Sequence, residues 1–178
     1  VWWMRNQDAV NHIKETKNNP NYLSSVPINT QIVNVTNDLK TTCEQADIIV
    51  LAVPSAFVHE TLSSVKIDLS SKVFFSAVKG IIPERNQIVG EYIQNEYNVP
   101  LKQIGVITGP CHAEEVALER LSYLTIASAN KDISKLISKK VSAPNVQTKR
   151  TKDIEGIEYA SIIKNIYALA AGISQGLG

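Results

Sequence analysis

Short runs of β-branched and apolar residues alternate with stretches of helical periodicity, and that alternation restricts the possible folds more than any other feature of the chain. Gln31–Val35, Asp47–Val53, Lys72–Val78, Ile104–Thr108 and Leu124–Ser128 read as strands, and Val1-Trp2-Trp3-Met4 as a strand entered midway. Helical spacing of apolar residues fills the intervals at Gln7–Lys17, Asp38–Gln45, Ser55–Ser64, Asn86–Glu96, Cys111–Glu119 and Asp132–Lys140. The run Asp-Ile-Ile-Val-Leu-Ala-Val at 47–53 is apolar on both faces, as a strand must be when helices cover its sheet on each side. The expectation is an α/β fold with a doubly wound, largely parallel sheet, whose ligands bind at the carboxyl ends of the strands.

The pattern changes after Lys152, where Ile154–Gly178 reads as one long helix with no strand following it. A domain boundary is therefore placed near residue 150. The stretch Tyr159–Gly178 carries Lys164, Asn165 and Gln175, each costly in hydrocarbon, so it is expected to be a buried helix of a soluble domain and not a membrane span. The loop Asn18–Asn29, with Pro20 and Pro27, reads as a connection.

Charge narrows the function classes further. Eighteen Lys and Arg against seventeen Asp and Glu leave a formal +1, so nucleic acid is not an expected partner and any phosphate recognition must be local. Cys43 and Cys111 occur in unrelated contexts, and no segment reads as a signal peptide, which points to a reducing cytoplasm. His12, His59 and His112 lack metal-ligand spacing, so no metal site is expected.

Four places suit chemistry. Lys164 is the single charge in Tyr159–Gly178, with Ile157, Ala160, Ala168 and Ala171 on its face; desolvation there would bring its pKa toward the range useful for proton transfer. Asn165 stands about 100° around the helix, within reach of the same site. The competing reading is a lysine that snorkels to solvent while its stem covers apolar surface. Lys79 follows Val73–Val78 and precedes Gly80, which puts it just past a strand end, where either a ligand or water would meet it. Thr108-Gly109-Pro110-Cys111 has the form of strand, tight turn and helix start, presenting backbone N–H groups to the crevice. Val53-Pro54-Ser55 ends another apolar strand on the same side.

Taken in order, these segments resemble the bacterial NAD(P)-dependent glycerol-3-phosphate dehydrogenase family. The resemblance rests on Trp3-Met4-Arg5, Asn21-Tyr22-Leu23, Asp38-Leu39, Ala46-Asp47, Val53-Pro54-Ser55, Lys79-Gly80-Ile81, the run Gly109–Ala117, and Lys164-Asn165 leading into Ala170-Ala171-Gly172 and Gly176-Leu177-Gly178. It implies a Rossmann-like nucleotide-binding domain over residues 1–150 and the start of an all-α substrate domain over 151–178. It implies hydride transfer between NAD or NADP and the pair sn-glycerol 3-phosphate and dihydroxyacetone phosphate, feeding phospholipid synthesis. Lys164 would be the catalytic proton acceptor or donor; Lys79, Gly109, Cys111 and Asn165 would bind substrate with it. Arg5, Tyr22, Pro54, Phe57, Lys79 and Ala113 would bind cofactor. Cys111 departs from the Ser or Thr more common in the family at that place.

The chain contains no G-x-G-x-x-G. The resemblance implies that this loop, with the first βα unit, would precede Val1 and that the helical domain would continue past Gly178. The 178 residues are thus expected to be an internal piece, inactive alone and homodimeric at most within the intact protein. Two other readings stand beside this one: a related hydroxyacid or ketopantoate-type reductase, and a non-catalytic nucleotide-binding module.

Overall fold

The computed structural model describes residues 1–177. In chain order the elements are β1 (Trp2–Trp3), α1 (Gln7–Thr16), β2 (Val35–Thr36), α2 (Leu39–Gln45), β3 (Ile48–Leu51), α3 (Ser55–Ser63), β4 (Val73–Ser76), α4 (Val89–Tyr97), β5 (Ile104–Thr108), α5 (Ala113–Ala117), β6 (Ser122–Ser128), α6 (Lys131–Val141), β7 (Val146–Thr151) and α7 (Ile154–Leu177). The sequence-expected end of the last helix at Gly178 lies outside the described residues.

Helix starts are set by side chains that accept backbone N–H groups. Asn6 Oδ1 takes the amides of Asp8 and Ala9 ahead of α1, Asp38 that of Thr41 ahead of α2, and Asn130 those of Asp132 and Ile133 ahead of α6. α1 stops where Lys17 turns left-handed, at φ 65°.

β3, β4, β5, β6 and β7 form one sheet in that order, and β1 and β2 form a separate parallel pair. β3, β4 and β5 run parallel, each displaced by a helical crossover. β4 shows why the sheet must be covered twice. Phe74 packs into the cluster built by Val58, Leu62, Tyr92 and Ile93 from α3 and α4, whereas its neighbour Phe75 packs with Ile126 and Ile137 toward α6. Both rings are buried, and removing each from water stabilises the fold by about 1.5–3 kcal/mol.

The sheet is not parallel throughout. β6 runs antiparallel to β5, pairing Thr108 with Thr125 and Gly105 with Ser128, because a connection holding only a five-residue helix brings the chain back without a crossover. The expected helix Cys111–Glu119 shortens to Ala113–Ala117, ending as Glu119 enters the left-handed region at φ 57°. β6 then reaches β7 in parallel through α6.

β7 was not expected, and in place of the strand expected at Gln31–Val35 the chain forms Val35–Thr36, which shares only Val35 with it. In the long terminal helix Ile154 and Glu158 are buried among the described residues, while Ile166, Tyr167, Leu169 and Ile173 are exposed. Only its first turns pack on the sheet, with Ile154 and Ile157 set against Val106 and Ala127. Among the described residues no helix is long and apolar enough to cross a membrane.

Candidate active site

The carboxyl ends of β4 and β5 are adjacent, because Ser76 pairs with Val106. The residues that follow, Lys79 beyond β4 and Thr108, Gly109 and Pro110 at the end of β5, therefore meet, and α7 closes the third side. Together with Ile157, Ala160, Ser161 and Lys164 they line a crevice of about 290 Å3.

Gly109 is what lets the turn pass there. Its φ is +152°, and a Cβ at this position would collide with the backbone carbonyl of Tyr123 on the antiparallel strand β6. The switch of strand direction and the glycine are thus one feature: β6 presses its backbone against the turn and holds it in the crevice wall.

From Lys79 the crevice continues toward β3 and β1. A Cβ on Gly80 would stand 2.6 Å from Ser55 Oγ, so the loops after β3 and β4 touch. Pro54 and Ser55 open α3, and Phe57 in its first turn carries the Arg5 guanidinium 5.2 Å above its ring centroid. Arg5, the residue pair Pro54-Ser55, Lys79 and Gly109 accordingly follow one another along the strand ends, as their positions in the sequence require. A larger groove, about 510 Å3, lies between Trp2-Trp3 and β3, but no charged side chain lines it and we place no chemistry there.

The remaining candidates are placed less centrally. Tyr22 lies on the loop after α1 with its ring exposed, its backbone N–H donating to Asn19 Oδ1 at 3.2 Å. Cys111 is half-buried just after the turn, Ala113 opens α5 at the surface, and Asn165 is exposed beside Lys164 without lining the crevice. Lys164 itself is exposed, and Ala168 and Ala171 lie on a part of α7 with no packing partner among the described residues.

The buried ionisable group of this region is a different residue. Glu158, 2% exposed, stands six positions before Lys164 and directs Oε2 at the start of α4, where it accepts the Gly90 N–H at 3.0 Å. Burial pushes its carboxyl up to about 7, opposed by hydrogen bonds from the Gly90 and Val89 amides and aided by the nearby Glu91 carboxylate. Its Oε1 has no hydrogen-bond partner among the described residues. Sequence reasoning missed this residue and Ser161. The available signal was an acid within an apolar stripe, since Ile154 and Ile162 flank Glu158 four positions away on either side.

Residues 1–134 match the family described as NAD-dependent glycerol-3-phosphate dehydrogenase N-terminus. The chain belongs to this family. It is 34% identical over 177 residues to a glycerol-3-phosphate dehydrogenase [NAD(P)+] of an Exiguobacterium species, covering 98% of the chain and 51% of the relative. A Staphylococcus aureus protein of the same name is 32% identical over 183 residues, covering all of the chain and 54% of the relative.

Solved structures agree with the fold. Glycerol-3-phosphate dehydrogenase of Plasmodium falciparum superposes with a TM-score of 0.87 at 26% identity, over 99% of this chain and 50% of that one. The enzyme from Coxiella burnetii gives 0.84 at 27% identity, over 98% and 53%. The chain thus spans about half the length of the dehydrogenases it matches. The five-stranded, mostly parallel sheet with helices on both faces is the α/β dehydrogenase architecture expected from the alternating sequence pattern.

Proposed function

We propose that the protein is an NAD(P)-dependent oxidoreductase interconverting sn-glycerol 3-phosphate and dihydroxyacetone phosphate. The observation that carries this reading is the convergence of Lys79, the Gly109 turn and Lys164 on one crevice, in a chain of this family. The line of strand ends running from that crevice to Arg5 and Phe57 fits an elongated dinucleotide, with cationic and aromatic surface for its adenosine end. Arg5, Tyr22, Pro54, Phe57, Lys79 and Ala113 would hold that cofactor, NAD or NADP, which supplies or accepts the hydride.

The chain's own residues would do the rest. Lys164 gives a proton to the C2 oxygen when the ketone is reduced and takes it back when the alcohol is oxidised. As an ammonium it also stabilises the alkoxide charge that develops on that oxygen. Lys79 and the N–H groups of the turn Gly109–Cys111 orient the substrate, with Asn165 beside the lysine. Residues 1–150 would form the nucleotide-binding domain and 151–178 the beginning of the substrate-binding one. A cytoplasmic enzyme feeding phospholipid synthesis, working as a homodimer, suits this reading.

The test is substrate choice by the full-length protein. Oxidation of NADPH or NADH is expected with dihydroxyacetone phosphate and not with ketopantoate or simple 2-keto acids. Turnover of a 2-keto acid with none of the triose phosphate would replace this reading by the neighbouring reductase one.

A further inference from the structure

Lys164 lines the crevice together with Lys79, Thr108 and Gly109, and the direction in which it faces depends on the rotation of α7 about its own axis. The packing of α7 comes from its first turns. Ile154 and Ile157 supply apolar contact with Val106 and Ala127, which holds the helix against the sheet. Glu158 adds a directional bond to that packing.

α4 begins without a side-chain cap of its own: Ile88 occupies the cap position and makes no such hydrogen bond. Its first amides are orphan donors at the positive end of a nine-residue helix. Glu158 Oε2 accepts the Gly90 N–H at 3.0 Å from another element, sixty-eight residues away. The approach is close: a Cβ on residue 90 would stand 2.8 Å from that oxygen and push the carboxylate aside. A buried carboxylate with one oxygen unpartnered is an expensive way to join two helices, and an apolar pair of the same volume would hold them at lower cost. The pairing makes sense as orientation.

We propose that Glu158 is the positioning residue for Lys164, its bond to the start of α4 fixing the rotation and depth of α7 so that the lysine faces Lys79 and the Gly109 turn. Six residues separate the two, about 9 Å along the helix and about 240° around it. Glu158 can therefore face α4 while Lys164 faces the crevice. Slippage by one residue would swing the lysine through about 100°. The inference rests on the proton-transfer role given to Lys164 above.

The test uses the full-length protein with Glu158→Leu, Glu158→Gln and Lys164→Ala, reading kcat, KM, cofactor Kd by fluorescence titration, and Tm. Glu158→Leu is expected to keep Tm and cofactor Kd close to wild type while kcat falls about tenfold to a hundredfold, the scale of a ~1 Å misplacement. Glu158→Gln, which keeps an acceptor for the Gly90 amide, restores most of that loss. Gly90→Ala, which pushes on the carboxylate without removing it, lowers kcat in the same way and serves if Glu158→Leu does not fold. Normal kcat in Glu158→Leu or, where that variant does not fold, in Gly90→Ala overturns the proposal. So does a loss of kcat that only follows a loss of Tm and cofactor binding. If Lys164→Ala turns over normally, the fault lies in the lysine's role; if it is inactive while Glu158→Leu is not, positioning alone fails.

Discussion

At the scale of single residues, Arg5 and Glu158 have the most to say. Arg5 stands at the end of β1 over the ring of Phe57, where a NAD-selective enzyme of this fold would place an acid for the ribose 2'-hydroxyl. A guanidinium suits a 2'-phosphate, which it can meet with two charge-assisted hydrogen bonds. Arg5→Asp is expected to turn the full-length enzyme from NADPH toward NADH in steady-state kcat/KM, and an unchanged ratio would leave the residue as a simple partner of Phe57. Glu158 makes a prediction about stability. Its carboxyl titrates near 7 in the folded chain against a reference of 4.5, so both states hold the proton below 4.5 and the folded state gives it up later as pH rises. Stability therefore falls between about pH 4.5 and 7, by an amount on the order of 3 kcal/mol, and stays low above that window. Glu158→Gln removes the titration. Urea midpoints measured at pH 5 and pH 8 should show the variant gaining on wild type at the higher pH, and parallel curves would contradict a buried, desolvated acid.

At the scale of elements, the turn after β5 depends on its backbone conformation more than on any side chain. Gly109→Ala would force a Cβ into the Tyr123 carbonyl and a strained φ, so the turn must move or β6 must part from β5. A stability loss of about 1–3 kcal/mol by denaturant unfolding is expected, with a larger fractional loss of kcat. An Ala variant of wild-type stability and turnover would mean that the crevice wall tolerates displacement. The same elements show what a sequence does and does not reveal. β3, β4 and β5 were legible because strands covered on both faces are continuously apolar, and β5 appears at the expected limits, Ile104–Thr108. β7 was not, because Val-Gln-Thr-Lys-Arg-Thr is an edge strand: Val146 is buried, Lys149 and Arg150 are exposed, and Thr148 Oγ1 bonds Ser138 and Ser142 at 2.6 and 3.0 Å. Charge on an edge protects it from pairing with another chain and hides it from a search for apolar runs. The reversal of β6 was equally silent, since direction is set by the connection and not by the strand's own residues.

At the scale of the whole molecule, the crevice exists because elements far apart in sequence end on the same side of one sheet. Lys79 and the Gly109 turn were legible as strand ends, and Lys164 as the single charge of its helical stretch. The contact that aims Lys164 was not, because the partner of Glu158 is a backbone amide sixty-eight residues distant and leaves no side-chain signature. In the proposed reaction this arrangement transfers a proton through Lys164 while hydride moves between substrate and nicotinamide. It is tested most directly by turnover of dihydroxyacetone phosphate with NADPH in the full-length protein and its Lys164→Ala and Lys164→Arg variants, with cofactor Kd measured alongside. A positioned acid or base contributes roughly 10² to 10⁴ in rate, so kcat is expected to fall by that factor or more in Lys164→Ala while cofactor Kd stays within a few fold. Lys164→Arg should rescue poorly, because a guanidinium remains protonated and cannot take the proton back. An alanine variant that turns over at close to the wild-type rate would show that Lys164 does not carry the proton.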